Sequence, residues 1–196
     1  MTMRERIIMR RLLRVTLAIA LILVLGGMAV AQDAEETFGC EANPTGDPIG
    51  GGEGYRDIIT SGDFTVTTKA ELLAALKAAH PEQVIFIPDG TEIEMTGTSS
   101  VAIPAGVTLA GTRGLDGSLG AHLFTKQKGG TQFVTAGDMV RFTGLRFQGP
   151  SSTTAKTAEN ATFFSVRHFR PEIDNCEIYD WNIQGIYASL GASQVQ

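Results

Sequence analysis

The chain has 196 residues, with 16 basic and 21 acidic side chains and a net charge of −5. An acidic balance disfavours a nucleic-acid partner, which needs a basic face, and also a highly anionic substrate. With only two cysteines, Cys40 and Cys176, at most one disulfide can form.

Residues 1–31 read as an export signal. Arg4, Arg6, Arg10, Arg11 and Arg14 form a basic start, residues 15–25 are apolar apart from Thr16, and Ala29-Val30-Ala31 is a small-x-small cleavage site. Cleavage is predicted between Ala31 and Gln32. A membrane anchor is the weaker reading, because the apolar stretch ends well short of the roughly 20 residues that span a bilayer and Asp33, Glu35 and Glu36 follow it at once. Removing the segment takes five of the 16 basic and one of the 21 acidic residues, leaving 11 against 20, a net of −9. Once exported, Cys40 and Cys176 can pair in an oxidising compartment. The favoured alternative is that Cys176 is a small buried hydrophobe. Cys40 lacks the small-residue context of a lipidation site.

Residues 32–63 are rich in Gly, Pro and acids and read as an extended lead-in with little structure of its own. The Gly50-Gly-Gly-Glu-Gly run is no phosphate loop, since no strand precedes it and no Lys-Ser/Thr follows. Residues 64–83 are expected to form a cap containing one helix over 69–80. Thr68-x-x-Glu71 is a capping box, and Leu72, Leu73, Leu76 and Ala79 share a face that ends at His80-Pro81.

From residue 84 onward the pattern changes to short strands and Gly turns. Ile85-Phe-Ile-Pro-Asp-Gly-Thr-Glu-Ile93 repeats as Val101-Ala-Ile-Pro-Ala-Gly-Val-Thr-Leu109, at an offset of 16. Val101, Val107, Leu109 and Gly111 then map onto Val134, Val140, Phe142 and Gly144, at an offset of 33. Phe142, Gly144, Leu145 and Phe147 map onto Ile173, Asn175, Cys176 and Ile178, at an offset of 31. Recurring short apolar strands with a turn residue at a fixed place are the mark of a solenoid. The coincidence of Gly111, Gly144 and Asn175 predicts a corner with positive φ. Strands are expected over 84–87, 92–95, 101–103, 107–110, 122–125, 132–135, 139–142, 145–147, 163–166, 173–174, 176–179 and 183–187. Residues 112–121 and 148–161 break the rhythm and are expected to protrude as loops. A helix before stacked strands predicts a cap that hides the open interior of the first rung. No such closure follows residue 187, so residues 84–196 are expected to be the first rungs of a longer coil, truncated at the C-terminus.

The helix Lys69-Ala-Glu-Leu-Leu-Ala-Ala-Leu resembles the right-handed parallel β-helix proteins of the pectin-lyase-like superfamily, as do Val84-Ile-Phe-Ile-Pro-Asp-Gly-Thr and Val107-Thr-Leu-Ala-Gly-Thr. So do Val140-Arg-Phe-Thr-Gly-Leu-Arg-Phe-Gln-Gly and Ile173-Asp-Asn-Cys-Glu-Ile-Tyr-Asp-Trp. The resemblance covers residues 64 to the end. It implies an all-β fold: a right-handed parallel β-helix with an N-terminal capping α-helix. It also implies an exported protein (secreted, periplasmic or cell-surface) that acts on or binds polysaccharide, by lyase or hydrolase chemistry. The alternative is a non-catalytic surface or adhesion module of the same fold. In the lyases of that superfamily, Ca²⁺-binding carboxylates and a catalytic Arg or Lys lie in the middle of the coil, which puts the catalytic residues beyond residue 196 here. Ile173-Asp174-Asn175-Cys176 is similar to an Asp-His-Cys phrase of pectate lyases, with Asn175 in the place of the His.

The densest group of chemistry-bearing residues is Arg167, His168, Arg170, Glu172, Asp174, Glu177, Asp180 and Trp181. With Ile173 and Ile178 inward, alternation points Asp174, Glu177 and Tyr179 outward. Stacked carboxylates there suit Ca²⁺, two carboxylates suit a glycosidase, and an exposed Tyr179 or Trp181 suits a sugar ring. Substrate-binding candidates are therefore Arg167, His168, Asp174, Glu177, Tyr179, Asp180 and Trp181. Surface solubility is the competing explanation for these charges. His80, His122 and His168 lack metal-ligand spacing, so zinc is not expected. Arg113 is expected to pair with Asp116, and Asn160-Ala-Thr162 matches a glycosylation sequon.

Overall fold

Thirteen strands and one α-helix run through the computed structural model, which describes residue 51, residues 54–150 and residues 160–189. In chain order they are β1 (Phe64–Thr65), α1 (Lys69–Ala78), β2 (Val84–Phe86), β3 (Glu92–Glu94), β4 (Val101–Ile103), β5 (Thr108–Ala110), β6 (His122–Phe124) and β7 (Gly130–Thr135). There follow β8 (Arg141–Thr143), β9 (Arg146–Gln148), β10 (Ala161–Val166), β11 (Glu172–Asp174), β12 (Glu177–Tyr179) and β13 (Gln184–Ala188). All pairings are parallel and make three sheets: β1-β2-β5-β8-β11, β3-β6-β9-β12 and β4-β7-β10-β13. From β2 onward the chain visits the first, second and third sheet in strict rotation. The fold is therefore dominated by parallel β-structure with one helix, consistent with a parallel β-solenoid.

Stacking register tests the repeats directly. Leu109 pairs with Phe142, and Phe142 with Ile173, so the offsets of 33 and 31 are true stacking distances on the first sheet. Phe147 pairs with Ile178 on the second. On the third sheet the register slips by one, because Val101 pairs with Phe133 and not with Val134. Phe133 is the fully buried residue of the two, and a period-2 strand must keep its large apolar side chains inward.

The offset of 16 is a different matter. Ile85 lies on the first sheet and Val101 begins a strand of the third, so the two Ile-Pro-x-Gly phrases do not stack. Each phrase instead closes a strand and turns into the next sheet, with Gly90 at φ 71° and Gly106 at φ 66°. They mark corners, not rungs. The corner glycines differ as well. Gly144 (φ 68°) and Asn175 (φ 48°) are left-handed, whereas Gly111 is not. Gly111 is glycine because its neighbour crowds it: a Cβ there would sit 2.5 Å from the Gly144 carbonyl oxygen.

The interior is aliphatic near α1 and aromatic further on. Phe133, Phe142, Phe147, Phe163 and Phe164 are fully buried, with the Phe147 and Phe163 ring centroids 4.3 Å apart and Phe142 and Phe164 edge to face at 4.9 Å. Helix α1 adds Leu72, Ala75 and Leu76 to the same core and packs on β2 and β4. Its capping box is complete: Thr68 Oγ1 accepts from the Glu71 N–H, and Glu71 Oε2 accepts from the Thr67 and Thr68 N–H groups. The helix stops at Ala78, two residues before the expected end, as Pro81 disfavours helical backbone at His80.

Among the described residues of the lead-in there is no helix or strand, and they lie against the outer surface of the first sheet. Gly51 packs on Asn175 just past β11, Tyr55 reaches Asp174 on β11, and Asp57 reaches Arg141 on β8. Asp63 Oδ2 then accepts from the Val84 N–H on β2 at 2.7 Å, and Gly62 sits against Val84 and Phe86. The segment thus runs back along the stack as a strap. Small side chains make room for it: Ala110 and Thr143 sit in the outward column between Phe86 and Asp174, and all four are buried.

Residues 112–121 hold a 3₁₀ turn, Leu115–Gly117, and expose Leu119. The export signal, the Ala31/Gln32 cleavage point, Cys40 and most of the loop 148–161 lie outside the described residues. Among the described residues no helix is long and apolar enough to cross a membrane.

Candidate functional site

Two side-chain networks stand on the outside of the sheets. The first fastens the strap. Arg141 Nε donates to Asp174 Oδ1 at 2.8 Å and Nη2 to Oδ2 at 3.0 Å, a bidentate pair. Thr143 Oγ1 donates to Asp174 Oδ2 at 2.6 Å, and the Tyr55 hydroxyl donates to the same oxygen. Arg141 also meets Asp57 at 2.8 Å and Glu172 at 3.5 Å. Burial pushes the Asp174 carboxyl up, but the hydrogen bonds from Arg141, Thr143 and Tyr55 outweigh it and hold the group below the usual carboxylate range. Burial and the hydrogen bond to Asp174 raise the Tyr55 hydroxyl. Asp174, expected on an open outer face, is 6% exposed. It points away from the coil interior as alternation requires, and the strap covers it.

The second network lies on the outer face of the second sheet. Register places Glu92, His122, Arg146 and Glu177 in one outward column and Glu94, Phe124, Gln148 and Tyr179 in the other, with Ile93, Leu123, Phe147 and Ile178 inward between them. His122 Nδ1 is 3.5 Å from Glu92, and its Nε2 lies 3.2 Å from the Tyr179 hydroxyl. That hydroxyl donates to Gln148 Oε1 at 3.5 Å, and Gln148 Nε2 donates to Asp180 at 2.9 Å. The rings of His122 and Phe124 stack at 5.2 Å, and those of His122 and Tyr179 lie nearly parallel at 6.3 Å. Burial raises the Tyr179 hydroxyl above its ordinary pKa, so it stays a neutral donor and acceptor. The cations around this face are engaged. Lys126 meets Glu94 at 3.3 Å and sits over the Phe124 ring, and Arg113 meets Glu177 at 3.2 Å. Arg113 also donates to the Leu119 carbonyl, so its partner is Glu177 and not the expected Asp116. Arg146 Nε donates to the Gly120 carbonyl at 3.1 Å.

The residues singled out from the sequence are neighbours along the chain but not around the coil. Asp174 belongs to the first sheet, while Glu177 and Tyr179 belong to the second. Arg167 and His168 follow β10 of the third, where Thr135 Oγ1 accepts from the Arg167 N–H and meets His168 Nδ1 at 2.9 Å. Asp174 and Glu177 therefore do not stack as a pair of Ca²⁺ ligands, and each is already bound to an arginine. No group of three or more His, Cys, Asp or Glu able to hold a metal ion occurs among the described residues. Trp181 is no exposed platform. Its ring packs on Phe163 and its Nε1 donates to the Phe147 carbonyl at 3.2 Å, tying the corner after β12 to the core. Of the candidates, Glu177, Tyr179 and Asp180 do come together on the second sheet. The sequence reading passed over Glu92, His122, Phe124 and Gln148, although alternation about Leu123 in Ala121-His-Leu-Phe already places His122 and Phe124 on one face. Cys176 is a free thiol against the core, and burial pushes its pKa up to about 12.

No protein-family profile matches the sequence, and no solved structure matches it. Half of the chain, 99 residues, is 31% identical to a curated protein of Acanthamoeba polyphaga mimivirus named for a collagenous domain. The chain spans about a fifth (21%) of that relative's length.

Proposed function

We propose that this is an exported right-handed parallel β-helix protein of the pectin-lyase-like kind, and that it binds polysaccharide on the outer face of its second sheet. The observation carrying the reading is the outward column Phe124, Gln148, Tyr179 with His122 beside it. The half-buried Tyr179 ring at the last strand of that sheet, with its own hydroxyl and the Gln148 amide beside it, offers what a sugar needs: an apolar face to stack on and directional hydrogen bonds at its edge. The rotation of the chain through three parallel sheets and the helix packed at the first strands support the fold assignment. Cleavage by lyase or hydrolase chemistry belongs to the same reading for a longer coil, and a non-catalytic surface module is its alternative.

The test is to incubate the purified chain with a panel of soluble and insoluble polysaccharides and measure retention and gel retardation. Retention by at least one glycan, reduced by changes on the second sheet and not by changes on α1, is expected. Retention by none removes the reading. Appearance of unsaturated or reducing ends in the retained samples separates an enzyme from a binder.

A further inference from the structure

The polar side chains of the second sheet join in one line that crosses all four strands, and a histidine stands in it. Glu92 on β3 faces His122 Nδ1 on β6 at 3.5 Å, and His122 Nε2 lies 3.2 Å from the Tyr179 hydroxyl on β12. That hydroxyl reaches Gln148 Oε1 on β9 at 3.5 Å. Gln148 Nε2 donates to Asp180 at 2.9 Å, which fixes the amide with its oxygen towards Tyr179. The imidazole is 12% exposed, stacks with the Phe124 ring and lies nearly parallel to that of Tyr179, so packing keeps its two nitrogens on these partners.

One hydrogen decides the state of the line. The Tyr179 hydroxyl carries a single hydrogen and has two acceptors in reach, His122 Nε2 and Gln148 Oε1. An ionised Glu92 can only accept, so in a neutral imidazole it favours the hydrogen on Nδ1 and leaves Nε2 bare. The hydroxyl then donates to Nε2, the nearer acceptor, and Gln148 Oε1 is left to accept from a ligand. In the imidazolium both nitrogens donate. The hydroxyl oxygen now accepts from Nε2, its hydrogen turns to Gln148, and that acceptor is closed. Burial raises the Tyr179 hydroxyl above its ordinary pKa, so the phenol keeps its hydrogen throughout.

The charges facing the ring come from three other strands. Glu92 on β3 and Glu177 on β12 favour the imidazolium, and Arg146, its neighbour in register on β9, opposes it. Arg113 offsets Glu177, while Lys126 and Lys69 offset Glu94 beside Phe124, and Asp180 is held by the Gln148 amide.

We infer that His122 is a proton switch on this face: its protonation turns the Tyr179 hydroxyl from His122 to Gln148 and withdraws the acceptor that a sugar hydroxyl uses. Binding is strongest with the imidazole neutral and falls as pH drops through the range in which histidine titrates, about pH 8 to 5. One hydrogen bond to the ligand is at stake, which corresponds to a loss of about fivefold. The effect on a ligand rests on the glycan-binding reading above; the turning of the hydroxyl does not.

Two measurements keep the switch and that reading apart. NMR of the full chain follows the His122 ring, Tyr179 Cζ and the Gln148 side-chain amide from about pH 8 to 5. All three should move with one midpoint, and in His122→Gln the Tyr179 and Gln148 signals should stay still. A His122 ring that does not titrate over that range, or that titrates while Tyr179 and Gln148 stay still, overturns the switch whatever the chain binds. The glycan retained best from the polysaccharide panel is then titrated calorimetrically at both ends of the range. The parent should bind about fivefold more weakly at the acid end. His122→Gln should bind equally at both ends, as should Tyr179→Phe, which keeps the ring and has no hydroxyl hydrogen to turn. Unfolding midpoints of both variants are measured at each pH. His80 and His168 remain in both variants, so a pH dependence that persists in them arises elsewhere and overturns the switch. Parent affinity that is the same at both ends overturns its control of the ligand and leaves glycan binding intact. A coupled NMR titration in a chain that no glycan retains supports the switch and removes the glycan-binding reading.

Discussion

Removing the Asp174 carboxylate tests how the strap is held. Asp174→Ala deletes two hydrogen bonds from Arg141, one from Thr143 and one from Tyr55 at a site that is 6% exposed. Breaking one partner of a buried ion pair costs about 3–5 kcal/mol, because a desolvated charge is left behind. Here Arg141 keeps Asp57 at 2.8 Å and Glu172 at 3.5 Å, so its charge is not orphaned. The Thr143 hydroxyl does lose its acceptor in a buried position. The expected loss is therefore at the low end, about 3 kcal/mol. With a urea slope of about 2 kcal/mol/M, the midpoint should fall by about 1.5 M. The loss is also local before it is global. The described strap residues, 51 and 54–63, include two hydrogen-bonded anchors on the sheet, this cluster and the Val84–Asp63 bond, so loss of the first should let the strap open before the rungs. Trypsin cleavage after Arg56, an exposed residue of the strap, should accelerate by about a hundredfold while the rungs stay intact. Replacing Asp57, a partner that is itself largely exposed, should cost under about 1 kcal/mol. A midpoint shift below about 0.5 M for Asp174→Ala, or unchanged cleavage at Arg56, would refute the strap as a clamp.

The same carboxyl sets an acid limit. Its folded pKa lies below the unfolded value, so its stabilisation is present above the ordinary carboxylate range and is lost as pH falls through the depressed folded value. Urea midpoints measured from neutral pH downward should drop more steeply for the parent chain than for Asp174→Ala. Gly144→Ala should cost about 3 kcal/mol or more, because φ is 68° and the new Cβ would meet the Gly111 carbonyl oxygen at 2.1 Å. Gly90→Ala, at φ 71° but in open space, should cost only about 1 kcal/mol, and paired thermal melts separate the two. The Cys176 thiol, pushed up to about 12, should resist iodoacetamide at pH 8 in the folded chain and react at least tenfold faster in urea, as peptide mass mapping would show. Equal rates in both states would contradict its burial.

Strand content was legible from the chain because it depends on local alternation. The expected strands over 84–187 all occur with ends shifted by no more than two residues, and the one strand missed among the described residues, β1, is two residues long with no alternation to read. Stacking on the first sheet was legible too, since Leu109, Phe142 and Ile173 repeat the same inward slot. The Ile-Pro-x-Gly phrase misled because a corner and a rung both recur, and a repeat alone does not say which is repeating. Register on the third sheet slipped because Phe133 and Val134 are both apolar, and only the filled interior chooses between them.

The candidate site was the least legible part, for a geometric reason. In a coil, residues next to each other in the chain turn onto different sheets within a few positions, as Asp174 and Glu177 do. Residues some 30 to 60 positions apart come to lie side by side instead, as His122 and Tyr179 do. Composition and periodicity settle what each strand turns inward, because burial of apolar area is a property of each residue and its spacing. Which outward side chains meet, and that Asp174 lies under a strap while Tyr179 stays on an open face, is decided by register across rungs, which exists only once the chain is wound.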